Sequence, residues 1–503
     1  CTNFRSCSMK ESSLKAKTAK GLFWGGVGNG LQQLFNLFFG IFLARLLDAS
    51  DYGMIGMLAI FSAISSVIQE GGFGAALINK EKITQEDCNA VFWFSLSAGF
   101  CLYILLFLSA PFIAGFYGIP ELAPLSRFMF LGFLIGCTGT VHGAIFTKRL
   151  MIKEKIHINL IALFCSGCIG LAMAYCGMAY WAIATQQVSY MLLMVSMLWY
   201  KSPWKPTLQF SAAPLKEMLP FSIKIAFTNI FNQINQNILT VLMGKYYTSR
   251  QVGYYTQGNK WMMMGSSLVT SMVTNVAQPV LIQVSSEVER QKNVFRKMLR
   301  FVSFISFPAM LGLALIAPEL ITITITDKWQ ASVRILQLLC VWGAVIPINS
   351  LYSNMIISRG QSQVYMWNTV ALGILQILAL IFMSRYGIFA MLATFTTINV
   401  MWLGIWNAFA RKSIGLQYSE MLKDLLPFLM AAIATTTVTY VLTQNITNPY
   451  MSLACKTALA ILLYATIMWA GKSVIFKEVM NVEHAVAILA AIGALGMAEH
   501  IDD

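Results

Sequence analysis

The sequence predicts an all-α polytopic membrane protein of about 14 transmembrane helices. Three observations carry that prediction. Of 503 residues, 57% are hydrophobic and only 11% charged, where a soluble domain carries about 25% charged residues. The charges gather between apolar runs of about 20 residues, the length that crosses a bilayer. The basic clusters also alternate from one loop to the next, as the excess of Lys and Arg in cytoplasmic loops requires. A water-soluble enzyme, a disordered chain and a secreted disulfide scaffold are excluded.

Taken in order, the apolar runs place spans at 21–47, 52–78, 89–114, 122–147, 157–176, 179–200, 217–243, 252–283, 299–317, 332–357, 364–384, 387–410, 425–443 and 453–475. Several exceed 25 residues, so they must tilt, bend or protrude. Pro220, Pro279, Pro308 and Pro347 are expected to kink their helices. No short apolar core with a small-residue cleavage site opens the chain, so the first run reads as a retained membrane helix, with Met9 a candidate start. The organisation expected is a basic N-terminal segment (1–20), an N-lobe of helices 1–6 (21–205), a C-lobe of helices 7–12 (206–412), helices 13–14 (413–476) and a tail (477–503). In the tail, the apolar stretch from Ala485 to Met497 is too short to span and is expected to lie along the inner membrane face or against the protein.

The net charge of +14 needs no nucleic acid to explain it. With both termini cytoplasmic, 25 basic residues fall on the inner side and seven on the outer, while Lys224, Lys260 and Lys456 fall within spans. No phosphate-cradling Walker loop, zinc-binding HExxH or nucleophile-elbow GxSxG occurs, and the outer loops are short. A membrane enzyme such as a glycan polymerase or ligase, which needs a large outer catalytic segment, is therefore disfavoured. Cys165 and Cys168 form a lone CxxC inside a helical run with no second pair to complete a zinc site, so they read as small apolar residues. Neither a metal nor a cofactor is expected.

Displacing the sequence by 200 residues sets the first span on the seventh. Asn29 then meets Asn229, Gln32 meets Asn232, Gln33 meets Gln233, Asn36 meets Gln236, and Arg45 meets Lys245. The spacing is helical, so each amide set forms one face. A parallel duplication of six helices builds two lobes with the substrate handled between them. Amides also serve as glue between helices, but a stripe that occurs twice favours a wet cavity. The candidate cavity residues are Asn29, Gln33, Asn36, Asn229, Gln233, Gln236, Arg45, Lys245 and Lys260, with Glu70 a weak candidate for ion coupling. Lys224, Lys456 and Arg127 are expected to snorkel to the headgroups, and His142 to be a hydrogen-bonded packing residue. Cations suit a phosphate, and amides suit sugar hydroxyls.

Particular stretches resemble a known family. Ala44 to Gly53 (ARLLDASDYG), Gly72 to Ile78 (GFGAALI), Asn89 to Trp93 (NAVFW), Ala110 to Ala114 with Phe116-Tyr117-Gly118, and Gly244-Lys245 followed by Gly253-Tyr254-Tyr255 look like the Wzx-type polysaccharide flippases. Over about residues 15–475 the chain is similar to the WzxC-like oligosaccharide exporters of the multidrug/oligosaccharidyl-lipid/polysaccharide flippase superfamily. That resemblance implies two pseudo-symmetric six-helix lobes plus two C-terminal helices, as in the related MATE transporters. It further implies a non-enzymatic role in polysaccharide biosynthesis, such as that of lipopolysaccharide. A polyprenyl-diphosphate-linked oligosaccharide would be turned from the cytoplasmic to the periplasmic leaflet of the bacterial inner membrane, by alternating access through a cationic, amide-lined central cavity. Polysaccharide polymerase machinery is the implied protein partner, beside membrane lipids. The family often carries Arg where this chain has Lys245, and some members have an acid in the seventh helix where Gln236 and Asn237 are neutral. A MATE-type drug/cation antiporter is the alternative, and it should favour acidic groups facing the cavity.

Overall fold

A computed structural model describes residues 11–70, 73–209, 211, 213–473 and 475–476. Within its helices the side chains of residues 11–27, 68–70, 217, 220–221, 223–226, 228 and 275–276 lie outside that description, and so do residues 477–503. The side chains of Glu70 and Lys224, the kink expected at Pro220, and the tail stretch Ala485 to Met497 are thus outside the described residues. Among the described residues all regular structure is helical. The chain divides into two compact units between Val252 and Gly253.

Unit one holds α1 (Glu11–Leu46), α2 (Ala49–Glu70), α3 (Phe73–Asn79), α4 (Gln85–Tyr117), α5 (Leu122–Cys137), α6 (Thr140–Lys148), α7 (Ile152–Tyr175), α8 (Tyr180–Lys201) and α9 (Ala213–Tyr246). The helix that the 200-residue repeat pairs with α1 is therefore in the same compact unit, packed on α2, α3 and α4. Unit two holds α10 (Ser249–Gln283), which begins just ahead of the division, then α11 (Val288–Ile325), α12 (Ala331–Ser358), α13 (Ser362–Met383), α14 (Ile388–Ile414), α15 (Tyr418–Thr443) and α16 (Pro449–Ala470).

Each expected span coincides with one helix or with a pair. The fourth is bent by 46° between α5 and α6. The bend frees the Thr138 carbonyl, and the Trp199 indole N–H takes it at 2.9 Å. The second is divided into α2 and α3. Helix continues through Pro279, Pro308 and Pro347. Among the described residues ten helices are long and apolar enough to cross a membrane, eleven if the bent pair is one span. Over their described residues α1, α9 and α10 do not reach that apolarity. These are the helices that carry the amide stripes and Lys260.

Small residues let helices close up within unit one. A Cβ on Gly167 of α7 would stand 2.5 Å from the Phe39 ring, so only glycine lets α1 approach there. Phe35 adds a ring contact to Phe164 at 5.7 Å. Phe73, Leu77, Val91, Phe92, Val141 and Trp204 gather into one core where α3, α4 and α6 meet the stretch leading to α9. In unit two, α12 is buried over most of its length and α11 packs against α12, α15 and α16.

Two charged clusters fix that last contact. Lys292, Arg296 and Arg300 are spaced four residues apart and share one face of α11; Glu420 and Asp424 do the same on α15. Arg296 Nε reaches Asp424 Oδ2 at 2.7 Å and Arg296 Nη1 reaches Glu420 Oε1 at 3.1 Å, while Lys292 pairs with Glu420 at 3.0 Å. On α16, Lys456 pairs with Glu319 of α11, and the Ser452 hydroxyl donates to the same carboxylate oxygen at 2.8 Å. Lys456 is buried. It does not snorkel, because a carboxylate within the protein offers it a partner.

Candidate functional site

The amide face of α1 is built by rotation. At about 100° per residue, Gly28, Gln32, Phe35 and Phe39 fall on one side, and that side packs on α7. Asn159 Nδ2 donates to Gln32 Oε1 at 2.9 Å, and the Tyr190 hydroxyl donates to Asn159 Oδ1. Leu31, Leu34, Phe38 and Phe42 form a second, exposed apolar side, with Leu34 at 60% and Phe38 at 50%. Asn29, Gln33 and Asn36 fall on the third side, about 180° from the apolar one. Asn29 and Gln33 are exposed and Asn36 is half-buried. None of the three side chains has a hydrogen-bond partner among the described residues.

The arrangement recurs on α9. Asn229 and Gln236 are exposed and unpartnered among the described residues, while Phe227 projects from the far side. Gln233 is half-buried, and Asn237 Nδ2 donates to its carbonyl at 2.9 Å. Towards Tyr246 the helix is enclosed: a Cβ on Gly244 would stand 2.7 Å from the Tyr117 ring of α4.

Arg45 and Lys245 are placed differently from the amides. Nine residues, about two and a half turns, separate Asn36 from Arg45 and Gln236 from Lys245, so each base lies on the face opposite its stripe. Both side chains are exposed. The Lys245 ammonium donates to the Phe116 carbonyl at 2.8 Å and stands 4.6 Å from the centre of the Phe116 ring. This is the C-terminal turn of α4, closed by Gly118 in the left-handed conformation (φ +70°). A cation there meets a free carbonyl and the negative end of the helix dipole. Arg127 meets α4 in mid-helix, with its Nε 3.3 Å from the Phe107 carbonyl and its guanidinium 4.4 Å from that ring; Pro111, four residues on, has no N–H for that carbonyl.

Lys260 of α10 is half-buried in a polar turn that sequence reasoning passed over. Thr256 Oγ1, Gln257 Oε1, Asn259 Oδ1 and Trp261 Nε1 are all buried there without a partner. Buried polar atoms are ordinarily paired, so this turn stands apart from the satisfied seams of the protein. The low apolarity of α10 was the available signal, but a single lysine drew attention instead. His142 is not the hydrogen-bonded residue expected: neither ring nitrogen has a hydrogen-bond partner among the described residues. It is held by the Trp199 ring at 4.7 Å and the Trp204 ring at 5.2 Å.

Comparison with known proteins shows the family and the fold. Residues 42–334 match the family described as "Polysaccharide biosynthesis protein". The chain is 24% identical over 400 residues to the teichuronic acid biosynthesis protein TuaB of Bacillus subtilis (strain 168), covering 78% of this chain and 80% of that one. It is 22% identical over 363 residues to the lipopolysaccharide biosynthesis protein WzxC of Escherichia coli (strain K12), covering 69% and 71%. Its fold is similar to that of the lipid II flippase MurJ in an inward closed conformation, with a TM-score of 0.74 at 15% identity over 92% of this chain and all of the other.

Proposed function

Because the chain belongs to the polysaccharide biosynthesis protein family, we propose that it flips a polyprenyl-diphosphate-linked oligosaccharide from the cytoplasmic to the periplasmic leaflet of the inner membrane, with both termini cytoplasmic. The single observation that carries this reading is the three-sided build of α1. An unpartnered amide face set opposite an exposed apolar face puts the amides towards water while the leucines and phenylalanines meet lipid. Amides there offer paired donors and acceptors to sugar hydroxyls. Lys260, set among unsatisfied polar atoms, offers charge to a diphosphate.

The names of its relatives support the substrate class: one is a teichuronic acid biosynthesis protein, another a lipopolysaccharide biosynthesis protein, and the neighbour of like fold is a lipid II flippase. The physics fits the direction. Carrying an anion outward across an inside-negative potential releases about 2.3 kcal/mol per charge per 100 mV. The headgroup avoids hydrocarbon by following the polar faces, the prenyl tail stays in lipid, and alternating access moves the headgroup across. Arg45 and Lys245 serve at the ends of their helices, Lys245 by holding α4. A drug/cation antiporter needs acids along the path, and α10 has none while α1 and α9 carry theirs only near their first turns, at Glu11 and Glu217.

The test is the triple variant Asn29→Leu, Gln33→Leu, Asn36→Leu. Surface polysaccharide should be lost while the protein inserts at its normal level. Normal export by a stably inserted triple variant would overturn the reading.

A further inference from the structure

We propose that unit one holds an anionic phospholipid of the surrounding bilayer at a peripheral site, independent of the amide faces. Its phosphate would occupy a cavity of about 180 Å³ formed by the start of α4, the end of α6 and the stretch after α8, lined by Thr84, Gln85, Lys148, Arg149 and Trp204 among others. Its acyl chain would lie in an apolar groove of about 730 Å³ between α4, α5 and α8, lined by Leu96, Phe100, Leu134, Ile135, Leu192 and Val195 with Trp199 at one side.

The cavity has the donors an anion needs. A capping box uses the side chains of Thr84 and Asp87 on each other's backbone N–H. The N–H groups of Gln85 and Glu86, in the first turn of a 33-residue helix, are left without an acceptor among the described residues. They lie at the positive end of the helix dipole. Trp204 is only 6% exposed and its indole N–H is buried with no acceptor, an independent sign of a missing partner. Lys148 does not wave in solvent: its ammonium is fixed by the carbonyls of Ile78, at 2.9 Å, and Lys80. The nearby carboxylate of Asp87 is neutralised by Lys80 at 3.0 Å.

Cavity and groove lie along the same face of α4, which argues for an amphiphile over a free anion. Gln85, Phe92 and Leu96, spaced seven and eleven residues, fall on one face of α4. The Phe92 ring packs on Trp204 at 5.7 Å and on Trp199 at 5.8 Å. One indole lines the cavity and the other the groove, with the buried Phe92 ring packed between them. Basic pockets between membrane helices take anionic headgroups in just this manner.

Retention of added lipid by the purified full-length protein in detergent, read by native mass spectrometry and by thermal shift, tests the proposal. Phosphatidylglycerol should be retained about tenfold over phosphatidylcholine, and inorganic phosphate alone should give no comparable shift. Arg149→Gln, with or without Lys148→Gln, should erase the preference. Leu192→Trp, which fills the groove, should weaken both lipids. Arg149→Gln alone keeps the test decisive if loss of Lys148 unfolds the α3 end. Equal retention of the two lipids, a preference that survives Arg149→Gln, or a phosphate shift equal to that of phosphatidylglycerol would each overturn it. Because lipid retention is read without transport, a negative result here leaves the flippase reading standing, and the reverse also holds.

Discussion

The amide face of α1 and the charged seam of α11 put polar groups into membrane helices in opposite ways. Along α11, every charge facing α15 or α16 meets its counterpart: Arg296 meets Asp424 and Glu420, Lys292 meets Glu420, and Glu319 meets Lys456. Along α1, Asn29, Gln33 and Asn36 form no side-chain hydrogen bond within the described protein, although Gln32, one residue away, is tied into α7 through Asn159. Satisfied polar groups hold helices together. Under the proposed function, unsatisfied ones on a face turned from lipid are reserved for what passes by. The same amide chemistry serves both ends, and a rotation of about 100° about the helix axis separates them.

The seam gives the largest expected effect. Asp424 has a side chain only 4% exposed, so Asp424→Ala removes the closest carboxylate from Arg296 and leaves it Glu420, at a cost of about 1.5–3 kcal/mol. Thermal or denaturant unfolding in detergent measures it; a loss under about 1 kcal/mol would place the seam with the exposed, weak ion pairs. A smaller effect sharpens the comparison on α1 itself. Gln32→Leu should cost about 0.6–2 kcal/mol by breaking the contact with Asn159, whereas Gln33→Leu should stay within about 0.5 kcal/mol and reduce export. Equal stability losses from the two neighbours would erase the distinction between glue and path. The smallest effect belongs to Lys245. Lys245→Met removes a cation from the end of α4 and should cost about 0.3–1 kcal/mol, while Lys245→Arg should be tolerated. Abolished export in Lys245→Met with unchanged stability would move this residue from a helix cap to the headgroup path.

The amide faces were legible early because helical period and a 200-residue repeat are properties of order along one strand of chain. The pairing of Lys456 was not, because Glu319 lies 137 residues away and nothing local marks the two as neighbours. Lys245 looked like a cavity charge for the same reason: its acceptor, the Phe116 carbonyl, is a backbone atom 129 residues distant. The unsatisfied turn at Thr256, Gln257 and Asn259 was visible as polarity but not as burial.

Sequence by itself determined that this chain lives in a bilayer, where its spans run, and which side of α1 and α9 is polar. Hydrophobicity and helical period are local quantities, and a membrane leaves backbone few alternatives to helix. Only the tertiary structure decided which polar groups are consumed in packing and which stay open. That depends on partners brought from far along the chain, and a buried charge or amide is expensive enough that the choice of partner fixes its role.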